Sequence, residues 1–123
     1  RRMTSNATVL VVALIHVYIL VLEMFLWTSP FGRKAFRTTE AFANDSRVLA
    51  ANQGLYNGFL AAGLLWGIWL SMTSGDAAGD PVKIFFLLCV AVAGAYGAAT
   101  VSPRILVIQT IPALIALAAT IFM

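Results

Sequence analysis

Two ionisable side chains interrupt the first long apolar run of the chain, His16 and Glu23. They lie seven residues apart, two helical turns, so one helix face carries both, together with Leu20 and Trp27. An ionisable group inside a membrane span costs about 2.5–3.5 kcal/mol by insertion scales, which turns it toward the bundle interior and toward a partner. Partners are supplied by other apolar runs: Asn52, Gln53, Tyr56 and Asn57 in the second, Tyr96 and Thr100 in the third, Gln109 in the fourth. Burial works against the charged form of imidazole and carboxyl alike, so a proton can move on and off such a pair near neutral pH. Amides and phenols around it both donate and accept. The set His16, Glu23, Asn52, Gln53, Tyr56, Asn57, Tyr96 and Gln109 is therefore the candidate pocket for a proton or a small polar or cationic ligand.

A plainer account of the same residues stands beside this one. Glu23 can snorkel, or pair structurally with Gln53 or Asn52. His16 can be a neutral packing residue bonded to Asn57 or to a backbone carbonyl. The amides can serve only as interhelical hydrogen bonds, worth about 0.6 kcal/mol each. Other chemistries lack their parts. One histidine, one nearby carboxylate and the lone Cys89 are too few for a metal site, and no haem or other cofactor is expected. Ser71, Ser74 and Ser102 lie at helix ends, away from a deep His16, so no catalytic residue is assigned; a membrane enzyme such as a lipid-modifying oxidoreductase is a distant third reading, which needs a cofactor site the sequence does not offer. Cys89 sits in an apolar run and reads as a buried, inert thiol.

The elements that position these groups follow from composition. The chain has 123 residues, 61% hydrophobic and 11% charged. A soluble domain carries about 25% charged residues, so this chain cannot cover a water-facing surface. That excludes an ordinary soluble enzyme, a disordered tail and a nucleic-acid-binding module. Four apolar runs approach the roughly 20 residues needed to cross a bilayer: about 7–27, 48–72, 81–101 and 105–122. The expected fold is all-α, a four-transmembrane-helix bundle forming a single membrane domain over residues 1–123. The first run is too long for a signal peptide, and the residues after it do not form a small-residue cleavage site. Pro81 is expected to open the third helix and Pro112 to bend the fourth.

Depth in the bilayer supports a pocket. Counted from the ends near Trp27, Val48, Val101 and Ile105, the residues Glu23, Asn52, Tyr96 and Gln109 all lie ~6–8 Å in, and His16 and Asn57 ~14–17 Å in. The connection 28–47 carries Arg33, Lys34, Arg37 and Arg47 with Phe31, Phe36 and Phe42, and reads as a cytoplasmic loop on anionic lipid, folded as a short surface helix. Residues 73–80 read as a plain turn. Counting Arg104 with the basic loop gives five cations on one side, against Arg1, Arg2 and Lys83 on the other. Both termini are then outside and the loop inside the cytoplasmic (inner) membrane. Small residues recur at helical spacing, Gly54 with Gly58, Gly63 with Gly67, and Ala91, Ala95 and Ala99 beside Gly94 and Gly97. They predict close packing of the second and third spans. Membrane lipids, a homodimer or a partner membrane protein are the expected partners, and nucleic acid is not.

Four strings, HVYILVLEMFLW from His16, NQGLYNGFLAAG from Asn52, GAYGAAT from Gly94 and QTIPA from Gln109, together resemble one family. It is the small integral-membrane family called domain of unknown function 1304. The resemblance covers nearly the whole chain, with departures confined to the termini and to residues 73–80. It implies a single four-helix membrane protein and no assigned activity. Two functions follow from the residues: a small transporter or channel-like protein using Glu23, or a structural, accessory or lipid-binding subunit without turnover. Small multidrug exporters share four short spans and a carboxylate in the first, an analogy of architecture with no string in common.

Overall fold

A computed structural model describes residues 2–123, with side chains from Met3 onward. Six α-helices follow one another: α1 (Arg2–Met24), α2 (Pro30–Phe36), α3 (Glu40–Asp45), α4 (Arg47–Ser74), α5 (Asp76–Thr100) and α6 (Ile111–Phe122), the last entered through a π-helical turn at Leu106–Thr110. No strand occurs among the described residues. Three helices are long and apolar enough to cross a membrane: Met3–Met24, Arg47–Ser74 and Asp76–Thr100. Only 28%, 22% and 22% of the residues in their most apolar stretches are buried by the protein itself, an exposure of apolar surface compatible with insertion in lipid. The last apolar helix, Leu106–Phe122, is shorter. Among the described residues three helices thus reach the length and apolarity needed to cross a membrane, where the sequence offers four apolar runs.

Several boundaries differ from the sequence expectation, each for a local reason. The first helix ends at Met24 rather than Trp27, because Trp27 turns into the following segment. Its indole N–H donates to Ser46 Oγ at 3.1 Å and its ring lies 4.9 Å from that of Phe36. The segment 28–47 forms two helices instead of one. Ser29 caps α2 by accepting from the Gly32 N–H, with Pro30 in the first turn. Arg37 closes α2 in the left-handed conformation (φ 57°), and Thr39 then caps α3 by accepting from the Phe42 N–H. Pro81 does not open the third span. It lies inside α5, which begins five residues earlier at Asp76. The expected turn 73–80 contracts to Gly75, whose φ of 93° suits glycine alone. Near Pro112 the helix takes a π turn, in which the Ile111 N–H reaches back to the Leu106 carbonyl.

The chain forms two compact units, one running up to Ile15 and resuming over Leu60–Met123, the other His16–Phe59. In the first, Val9, Val12 and Ala13 of α1 pack with Leu64 of α4, Leu87 and Val90 of α5, and Ala113, Ala116 and Leu117 of α6. In the second, Leu22, Ala43 and Ala50 are buried. The small residues work within the chain. Gly54 and Gly58 lie against Leu20, Glu23 and Met24 of α1, while Gly63 and Gly67 lie against Phe86 and Lys83 of α5. Only the later glycine pair thus joins the second and third spans. Of the α5 glycines, Gly79 is the one that lies against α4. A Cβ there would stand 2.6 Å from the Gly67 carbonyl oxygen and 2.6 Å from the Ser71 backbone nitrogen. Backbone cannot swing aside, so Gly79→Ala should cost about 1–3 kcal/mol, the scale of overpacking. Detergent-induced unfolding in mixed micelles measures it, and an unchanged midpoint would refute the contact.

Candidate functional site

Within the His16–Phe59 unit, α1 and α4 bring one carboxyl and one amide together. Asn57 Nδ2 donates to Glu23 Oε1 at 2.7 Å and to the Gln53 carbonyl, one turn back on its own helix, at 3.1 Å. The sequence places Gly54 one turn before Asn57, on the same face of α4. That glycine lets the helices close on Glu23, since a Cβ at 54 would lie 3.1 Å from the Glu23 Cβ. Asn57 is nearly buried and Glu23 is half-buried. Among the described residues no cation forms an ion pair with Glu23, and its Oε2 accepts no hydrogen bond. A carboxyl so placed has one oxygen fixed by a neutral donor. The other is open to a proton, a small cation or a donor group.

The remaining candidates divide. His16 is fully buried on α1, two turns before Glu23. Asn57 gives its amide hydrogens to Glu23 and Gln53, so neither goes to His16. Asn52 and Gln53 are exposed on α4, and Asn52 Nδ2 donates to the Val48 carbonyl of its own helix at 2.9 Å. Tyr56 is 56% exposed, its ring 6.3 Å from that of Phe59. Tyr96 and Gln109 belong to the other unit, where Tyr96 is 72% exposed and Gln109 packs at Gly94. Equal depth along a span leaves the direction of a side chain open, and here the helical phase sends Asn52, Tyr56 and Tyr96 outward. Cys89 is half-buried rather than fully buried. The Thr8, Val11, Pro112 and Ile115 side chains line an apolar groove that offers a polar ligand almost no partners.

A second polar cluster, centred on Lys83, was not singled out from the sequence. The sequence counts Lys83, at the start of the third apolar run, as an outer-side cation, and the structure buries it fully in α5. Its Nζ donates to Asn6 Oδ1 at 2.5 Å and to Ser5 Oγ at 3.2 Å, both on α1, and lies 3.9 Å from Asp80 Oδ1 one turn back on α5. Ser5 Oγ shares a further hydrogen bond of 2.8 Å with Thr120 Oγ1 of α6. Gly67 makes room for the lysine stem, since a Cβ there would lie 2.8 Å from Lys83 Cγ. Periodicity held the signal. Gly79, Lys83, Leu87, Val90 and Gly94 repeat at three- and four-residue steps, and all five are buried.

A family profile described as "Protein of unknown function (DUF1304)" matches residues 10–121. The chain is also 32% identical over 115 residues to the "Uncharacterized protein YpaA" of Lactococcus lactis subsp. lactis (strain IL1403), covering 92% of each chain. No solved structure matches it.

Proposed function

The chain belongs to the DUF1304 family of proteins of unknown function, and from that premise we propose that it is a four-span protein of the cytoplasmic membrane that binds a proton or a small polar or cationic ligand at Glu23. The observation that supports this reading is the 2.7 Å bond from Asn57 to a Glu23 carboxyl that has no cationic partner among the described residues. A carboxyl inside a span must be neutralised or paired, and a proton or a ligand can do either. His16, on one face with Glu23, extends the site toward mid-membrane, and Asn57, bonded to Glu23, and Gln53, whose carbonyl accepts from Asn57, complete it within the same unit.

The fourth span is Leu106–Phe122, whose 17 residues meet the lower limit for crossing. Burial takes Lys83 out of the count of outer-side cations, leaving Arg33, Lys34, Arg37, Arg47 and Arg104 on one side against Arg1 and Arg2 on the other. Both termini therefore lie outside and the basic segment in the cytoplasm. Four helices enclose little space, so passage of a ligand calls for a homodimer. In proteoliposomes under a pH gradient, wild-type protein should carry protons or a coupled substrate, and Glu23→Gln should abolish the flux. Flux at the wild-type rate in that variant refutes the reading. The accessory-subunit alternative draws on the outward polar face of Asn52 and Tyr56 on α4, where a partner membrane protein could attach. It requires co-purification of that partner and no flux from any variant.

A further inference from the structure

We propose that the oxygen cluster around Lys83 is a monovalent-cation site whose resident occupant is the protein's own ammonium. The amide oxygen of Asn6, the hydroxyl of Ser5 and the carboxylate of Asp80 face Lys83 Nζ at 2.5, 3.2 and 3.9 Å. All are oxygen donors, the set that suits hard cations. Of these three groups only Asp80 carries a formal charge, so the set suits a monovalent rather than a divalent cation. When Ser5 donates to Thr120 Oγ1, its lone pairs are left to face the ammonium. Thr120 is thus a positioning residue from a third helix. Among the described residues no three His, Cys, Asp or Glu side chains come together, so a divalent transition metal has no counterpart of this cage.

A lysine ammonium and a free ammonium or potassium ion ask for the same surroundings: several oxygens and one compensating negative charge. Lys83 meets the demand by tether. Gly67 admits its stem between α4 and α5, and the fully buried side chain delivers Nζ to the oxygens of α1. Asp80 keeps 22% of its side chain exposed, which leaves the cluster a route to water. Removing the tether while keeping the oxygens should therefore leave a vacancy for a free cation. This site is independent of Glu23, and its test uses no flux.

The experiment is thermal unfolding of Lys83→Ala in micelles with ammonium, potassium or sodium chloride, against choline chloride at equal ionic strength. Ammonium or potassium should raise the Tm of this variant by ~5 °C in a concentration-dependent way. Wild-type protein and Lys83→Met, whose apolar chain fills the space, should not respond. A folded Lys83→Ala with no cation dependence overturns the proposal. If Lys83→Ala does not fold, nitrogen-15 NMR of lysine side chains in the wild-type protein decides. The chain has two lysines, and Lys34 is exposed. One solvent-protected ammonium resonance, lost in Lys83→Met, is the supporting result, and absence of any protected ammonium overturns the assignment.

Discussion

Lys83→Ala should lower the unfolding free energy by about 3 kcal/mol, the lower end of the range for removing one partner from a buried ion pair. The loss is that large because three groups lose a contact with the ammonium together: Asn6 Oδ1, Ser5 Oγ and the Asp80 carboxylate. It stays at the lower end because Asp80 remains 22% exposed and can recruit water. Replacing both charges, with Lys83→Met and Asp80→Asn in one chain, should recover more than half of it. An apolar chain of similar volume needs no desolvation, and no uncompensated carboxylate is left behind. What remains is the cost of an Asn6 oxygen without a donor, about 1 kcal/mol. Detergent-induced unfolding of the wild type and both variants measures the difference. Equal losses in the single and double variants would show that packing of the lysine stem, not its charge, holds the end of this unit together.

The second large effect concerns Glu23 and Asn57. A double-mutant cycle with Glu23→Leu and Asn57→Ala isolates their interaction from the helix packing around them. A neutral hydrogen bond between membrane helices averages about 0.6 kcal/mol, and one to a charged acceptor is worth about 1.5–3 kcal/mol. The coupling should therefore rise from the first figure toward the second as pH increases, because the ionised carboxylate is the stronger acceptor for the Asn57 amide. The sign is specific: raising the pH strengthens this one bond, even while total stability follows other groups. A coupling that does not change with pH would mean that Glu23 does not titrate in the folded protein, and the proton-binding role would fall with it.

Much of the architecture was legible in the residues. Apolar runs of spanning length and a charged fraction of 11% specify long apolar helices, compatible with a membrane, and the structure is all-helical among the described residues. The seven-residue spacing of His16 and Glu23 puts them on one face whatever the packing. Helix ends were less legible, because capping and turn geometry are local contests. Pro81 is accommodated inside α5 since Gly75 alone makes the turn, and Trp27 leaves α1 because Ser46 and Phe36 offer its indole a better place.

Partnership between helices was not legible, for a reason that is general. Composition says that a polar side chain in lipid needs a neighbour, and depth says how far along the helix that neighbour sits. Neither says how each helix is rotated about its own axis. That rotation comes from which small residues allow two backbones to touch. Gly54 closes α4 on Glu23 and so selects Asn57 over Asn52, which bonds its own helix instead. Gly67 and Gly79 close α4 on α5 and turn Lys83 inward. The chain's own chemistry dictates apolar helices long enough to cross a membrane, with an acid at Glu23 that needs a polar neighbour. Which oxygens meet Lys83, and which amide meets that acid, is set by a fraction of a helical turn that contact between backbones alone can choose.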